Sequence, residues 1–328
     1  MAGQERIVVL NQSAHGIPAS EYAAELRRRL PDYHVKLPRT EGEARTTVGQ
    51  ARIVTGLHMD EELLARADEL RLFACGSAGV GHLPLDAFRE RGVAVTNASG
   101  VHGPNIAEHV IGWLLAFARR LDEGWRREQE SLWQHFQGGE LQGSTVTVVG
   151  MGAIGQAVVE RLEGFGVETV GARYSPEKGG PTDDVVGFTD EEAFQGALTR
   201  SDYVVVAAPL TDETRGLVGS SEIAAMPTDA VLINVGRGPI VDTDALVSAI
   251  RGNKLAGAGL DVTDPEPLPA DHPLWEFDNV RITPHNSGAT PEYWTRLADI
   301  LESNLERIDE TGRYDDLENQ VVSPESGD

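Results

Sequence analysis

The chain has 328 residues, 40% apolar and 24% charged, a globular composition long enough for two domains with separate cores. Its net charge of −24 and isoelectric point near 4.7 argue against nucleic acid or an anionic membrane surface as a partner. A single cysteine, Cys75, excludes an intrachain disulfide and a cysteine-built zinc cage. From the N-terminus, RIVVL (6–10), ARIVT (51–55), RLFAC (71–75) and VAVTN (93–97) have the composition of buried strands. Segments 21–30, 61–67 and 83–91 between them carry apolar residues at helical spacing. The alternation predicts βαβ units and a parallel sheet with helices on both faces. Cys75, closing one of the strands, reads as a core thiol rather than a nucleophile.

A longer apolar helix is expected from about Asn105 to Leu121, followed by a polar stretch holding Trp125 and Trp133. The βα rhythm resumes at Ser144 with six further hydrophobic runs, at 145–150, 168–173, 203–208, 230–235, 256–262 and 279–283. Pro291 to Ile308 reads as an amphipathic helix, and Tyr314 to Asp328 as a polar, mobile tail. The longest apolar run, His109 to Ala118, is about half of the ~20 residues a membrane span needs. The start MAGQERIVVL lacks the basic, apolar and small-residue regions of a secretory signal, so a cytoplasmic protein is expected.

The charge has an uneven make-up: 52 acidic residues, 28 basic ones, and only Lys36, Lys178 and Lys254 as lysines. A folded chain this acidic repels itself at low salt and is relieved by screening. Scarce lysine with abundant acid fits a halophile; an acidic mesophile that favours arginine is the alternative.

The strand TVTVV runs into Gly150-x-Gly152-x-x-Gly155 and then a helical pattern. Gly150 permits the tight turn, Gly152 lets backbone approach a pyrophosphate, and Gly155 allows close helix–strand packing; Met151, Ala153 and Ile154 complete the loop. Embedded in six βα units, this is a dinucleotide-binding signature rather than a plain turn. At the end of the next strand an acidic residue ordinarily reads the adenosine ribose. Here stand Arg173, Tyr174 and Ser175, with Arg173 18 residues beyond Gly155. A guanidinium there pairs with a 2′-phosphate, so NADP(H) is the expected cofactor; a solvent-facing arginine in an NAD(H) enzyme is the other reading.

Three later strand ends carry groups suited to polar catalysis: Gly236-Arg237, Asp261 with Glu266 beyond it, and Pro284-His285. Parallel sheets gather chemistry at such carboxyl ends. Reduction of a 2-oxo acid needs these groups. Arg237 can clamp the substrate carboxylate with a two-donor fork, and His285 can give a proton to the carbonyl oxygen. Glu266 beside an imidazole would orient the ring and hold it protonated. Taken singly, each has a structural reading as a loop arginine, a strand-end histidine or a loop glutamate. No metal is expected.

These residues, with VVGMGAIGQAV, VVVAAPLTDETRGLVG, LINVGRGPIVDTDAL, GAGLDV…PEP and HPLWEFDNVRITPH, resemble the D-isomer-specific 2-hydroxyacid dehydrogenases, the family of glyoxylate/hydroxypyruvate reductases, over about Leu72–Thr290. The resemblance implies a fold of two doubly wound α/β parallel-sheet domains with a cleft between them. Residues 1–98 and 290–328 would form a flavodoxin-like substrate domain, and 99–289 the Rossmann cofactor domain. It gives Arg237, Glu266 and His285 the catalytic roles and Asp261 a contact to the nicotinamide carboxamide. Ala208, Pro209 and Thr214 would pack along the cofactor, joined by Val235, Gly236, His285 and Ser287. Ser77, Ala78 and Gly79 would hold the substrate carboxylate. It also implies a homodimer through the 105–121 helix. Two departures stand out: GVGHLPLD places His82 in a turn where the family favours an Asp-Asn/His pair, and Asn286-Ser287-Gly288 replaces the frequent Ile-Gly/Ala after the histidine. The expected reaction is hydride transfer between NADPH and a small 2-oxo acid such as glyoxylate or hydroxypyruvate. The alternatives are a nucleotide-sensing corepressor-like protein and a phosphite dehydrogenase-like enzyme.

Overall fold

The computed structural model describes residues 5–324; residues 1–4 and 325–328, the extremes of the N-terminal segment and of the tail, lie outside the described residues. The described chain divides into two compact units. The first runs to Val101 and resumes at Ala289; the second is His102–Gly288. The first unit opens with β1 (Arg6–Val9), β2 (His34–Lys36), β3 (Ile53–Gly56), β4 (Leu72–Cys75) and β5 (Ala94–Thr96), all parallel. The second contains β6 (Thr145–Val149), β7 (Glu168–Arg173), β8 (Asp184–Gly187), β9 (Tyr203–Val206), β10 (Val231–Asn234), β11 (Gly257–Leu260) and β12 (Val280–Ile282). Its sheet is wholly parallel, in the order β12-β11-β10-β9-β6-β7-β8. The chain then returns to the first unit as the helix Tyr293–Thr311 and β13 (Gln320–Val322).

Burial explains why these segments are strands. β9 (YVVV) and β10 (VLIN) are buried along their whole length, as a central parallel strand covered by helices on both faces must be. Asp190 and Asp242 start the helices Glu191–Thr199 and Thr243–Arg251 by accepting the N–H of Ala193 and Ala245, caps worth about 1 kcal/mol each. β11 reads Gly-Ala-Gly-Leu for a packing reason. A Cβ on Gly257 would come within 2.8 Å of Phe117, and one on Gly259 within 2.8 Å of Trp113, both on the helix Gly103–Arg119. In the first unit the helix Ala19–Arg29 packs on Tyr293–Thr311, with the Tyr22 and Trp294 rings stacked at 4.8 Å. Cys75 is buried.

The described part of the tail, 314–324, is ordered where mobility was expected. β13 pairs antiparallel with β5, with Leu317 and Val322 buried and the amide Nε2 of Gln320 bound to the Tyr314 and Val322 carbonyls. The edge strands β2 and β8 and the helix Glu41–Val48 also lie outside the expected elements. They are short, and β2 (HVK) and β8 (DVVG) each have a charged or polar end in place of an apolar run. The polar stretch after the long helix is itself partly helical. Arg120 takes a left-handed φ of 50°, ending the helix Gly103–Arg119 and opening Leu121–Gln129. The long helix buries Ile106, Val110, Ile111 and Leu114 inside its own unit, whereas Trp125 and Trp133 just beyond it are 57% and 99% exposed. Among the described residues, no helix is long and apolar enough to cross a membrane.

Candidate active site

The glycine loop begins where β6 ends. Gly150 has φ +98°, a conformation L side chains rarely adopt, and a Cβ there would meet Ala208 backbone at 2.6 Å. A Cβ on Gly155 would overlap the Gly150 carbonyl oxygen at 1.9 Å, so the helix Ala153–Leu162 sits against the loop as closely as backbone allows. Around Gly152, the N-cap of that helix, nothing lies within 4 Å of a Cβ position. A helix N-terminus with open space before it presents backbone N–H groups and a positive dipole end to an anion. That fits a pyrophosphate.

Beside this loop lies a cavity of about 470 Å³. It brings together Gly150, Met151, Gly152, Arg173, Tyr174, Ser175, Ala208, Pro209 and Thr214 from the residues expected at the cofactor. Ala153 and Ile154 open the helix behind it. Arg173 donates through Nη1 to the carbonyl of Gly179, which fixes its stem and leaves its other N–H groups available. Thr214 is committed to its own loop: its hydroxyl donates to Pro209 O at 2.7 Å and accepts from Thr211 N at 2.8 Å. Lys178, Phe188, Thr211 and Glu213 also line the cavity and were not expected there. Lys178 had a signal, since one of only three lysines stands on the turn after Arg173. A hydrogen bond from Thr211 holds the Glu213 carboxyl below its ordinary value. The cavity thus sets two cations against one carboxylate.

The other cluster is built by the neighbouring strands β10, β11 and β12. His285 follows β12 and turns Nδ1 to Glu266 Oε2 at 3.1 Å. The second Glu266 oxygen, Oε1, accepts the backbone N–H of Thr263 at 3.0 Å, so the carboxylate is fixed at both ends. The imidazole is about 50% exposed, with Nδ1 as the nitrogen turned to Glu266. Arg237 follows β10, and Asn234 Nδ2 holds its carbonyl at 3.1 Å. Val235 and Gly236 in the same turn are pinned by bonds of 3.0 Å from Val235 N to Val206 O and from Gly236 N to Asn234 Oδ1. A Cβ on Gly238 would fall 1.9 Å from Thr263 O and 2.7 Å from Asp264 N. The Arg237 turn therefore lies directly on the loop that carries Glu266.

Asp261 directly follows β11 and is 2% exposed. Oδ1 accepts from Thr283 Oγ1 at 2.6 Å and Asn286 N at 2.8 Å; Oδ2 accepts from Ser287 N at 3.0 Å and from the Ser287 hydroxyl. Burial pushes this carboxyl up, but the bonds from Ser287, Thr283 and the two backbone N–H groups outweigh it and hold it below its ordinary value. A carboxylate offers about four acceptor positions, and all four are taken within the chain. Asp261 and Ser287, both expected at the nicotinamide, are thus engaged with each other and brace the loop of His285. In the first unit, the carbonyls of Gly76, Ser77 and Ala78 accept from Tyr293 OH, Ala98 N and Asn97 Nδ2. This turn, which continues to Gly79, is held through its carbonyls, and the Ser77 N–H donates to Cys75 Sγ at 3.4 Å. His82 bonds through Nε2 to Leu57 O at 2.8 Å.

A glycine loop at a helix N-terminus, a basic cavity beside it and a His–Glu pair at neighbouring strand ends define a dinucleotide-dependent oxidoreductase. The comparisons carry this further. The family profile for the D-isomer specific 2-hydroxyacid dehydrogenase NAD binding domain matches residues 111–287. The glyoxylate reductase of Thermofilum pendens is 36% identical over 253 residues, 75% of this chain and 74% of its own. The human glyoxylate reductase/hydroxypyruvate reductase is 36% identical over 257 residues, covering 76% and 77%. The structure of a D-isomer specific 2-hydroxyacid dehydrogenase from Xanthobacter autotrophicus Py2, in complex with NADPH and MES, superposes with a TM-score of 0.77 at 30% identity over 98% of both chains. The chain belongs to the D-isomer specific 2-hydroxyacid dehydrogenase family, NAD(P)-dependent oxidoreductases acting on 2-hydroxy acids.

Gly238→Ala should lower kcat at least about tenfold, because the added methyl must separate the Arg237 turn from the Thr263–Glu266 loop and small displacements at a reacting centre are costly. Steady-state kinetics with a 2-oxo acid check this; unchanged kcat would show that the contact does not set the site.

Proposed function

We propose that this enzyme reduces small 2-oxo acids, glyoxylate and hydroxypyruvate among them, to the corresponding 2-hydroxy acids, of D configuration where the product is chiral, with NADPH preferred over NADH. The observation that carries the reading is the 3.1 Å pairing of His285, beyond β12, with Glu266, beyond β11, the strand next to the one that Arg237 follows. The cofactor, when bound, supplies hydride to the substrate's carbonyl carbon. His285, its Nδ1 facing Glu266, gives the proton from Nε2 to the carbonyl oxygen and takes it back in the oxidative direction. Glu266 orients the ring. Arg237 holds the substrate carboxylate and polarises the carbonyl. Asp261 and Ser287 keep the His285 loop in place beside the nicotinamide. Arg173 and Lys178 support the NADPH preference, because two cations suit a 2′-phosphate. The acidic, lysine-poor composition fits work in concentrated salt. The exposed Trp125 and Trp133 support a homodimer formed by the segment just beyond the long helix.

His285→Ala should cut kcat by about 10²- to 10⁴-fold while NADPH binding, followed by nucleotide fluorescence, stays within threefold of wild type. Retained turnover would remove His285 from the chemistry. Wild-type kcat/KM should be higher with NADPH than NADH, and Arg173→Asp should reverse that order; a wild-type preference for NADH would refute the cofactor reading. Trp133→Glu should convert a dimer to a monomer in light scattering, and a variant that remains dimeric would place the contact elsewhere.

A further inference from the structure

His285 adopts φ +51°, a conformation that few residues other than glycine hold without support from their surroundings. Part of that support is local: its N–H bonds to the Asp261 carbonyl at 2.8 Å, and Asp261 grips the residues on both sides. The rest comes from the helix Gly103–Arg119. Asn105 Nδ2 donates to Ser287 O at 2.6 Å, and one turn further on His109 Nε2 lies 3.2 Å from Thr283 Oγ1. Residues four apart share a helix face, so this face holds the 283–287 segment at both ends. The Thr283 hydroxyl has one hydrogen and spends it on Asp261, so His109 must donate to it, which fixes the proton on Nε2. Burial favours the neutral ring, and Asp261 partly opposes that. Trp113 packs against His109 at 4.3 Å and rests on Gly259 of β11, so the helix is seated on the strand that delivers Asp261.

We propose that His109 is a positioning residue for His285, acting through Thr283 and Asp261. It touches neither substrate nor cofactor. Its donated hydrogen bond orders Thr283, Thr283 orders the Asp261 carboxylate, and Asp261 sets the backbone that points the His285 ring at Glu266. The proposal rests on the reading of His285 as proton donor.

A double-mutant cycle with glyoxylate and saturating NADPH tests it. His109→Phe removes the N–H donor; His109→Gln keeps one at similar reach. Thr283→Val and Thr283→Ser form a second pair if the Phe variant does not fold. Phe and Val should each lower kcat about tenfold with KM for NADPH within twofold, and Gln and Ser should recover most of the loss. In the His285→Ala background the same changes should cost nothing further, because the residue they position is gone. Equal losses in both backgrounds, a loss confined to KM or thermal midpoint, or a Gln variant as slow as Phe would overturn the proposal. Full turnover by His285→Ala alone would instead refute the proton-donor reading, which separates the two failures.

Discussion

The contact between His285 Nδ1 and Glu266 Oε2 joins side chains 19 residues apart in the chain. It exists because a parallel sheet delivers β11 and β12 side by side with their carboxyl ends at one edge. Each partner is secured from behind. Glu266 is held by the Thr263 N–H, and His285 by a loop whose bonds converge on a buried carboxylate, Asp261. Neither side chain is deeply buried, so their mutual attraction in water is weak and the geometry comes from the backbone beneath. The electrostatic pair is a consequence of the fold rather than its cause.

The same principle runs through the cofactor side. Gly150 and Gly155 are required by backbone lying where a side chain would be, and Gly152 leaves the helix N-terminus open. Arg173 is tied to the turn that follows it, which places a second cation, Lys178, on the cavity wall. Both ends of the site are thus preorganised by short contacts between backbone elements, which removes reorganisation cost when ligands enter.

Much of this was legible in the residues. The βα alternation, the glycine spacing and the three polar strand ends each follow from local rules about buried strands, tight turns and the carboxyl edge of a parallel sheet. What escaped was of two kinds. β2, β8 and β13 are three or four residues long and lie at sheet edges or next to polar turns, where the pattern of apolar residues is too short to register. The bracing role of Asp261 could not be read either, because its four donors come from 22 to 26 positions away and depend on how one loop folds back. The face of the 105–121 helix that carries Ile106, Val110, Ile111 and Leu114 covers its own sheet, and the exposed tryptophans come afterwards.

The most direct measurement is a crystal structure with NADPH and oxalate, an unreactive analogue of a 2-oxo acid. The account predicts His285 Nε2 within about 3.2 Å of an oxalate oxygen, Nδ1 still on Glu266, and the Arg237 guanidinium on an oxalate carboxylate. An oxalate bound with His285 turned away from it, or with Glu266 no longer on the ring, would contradict the account.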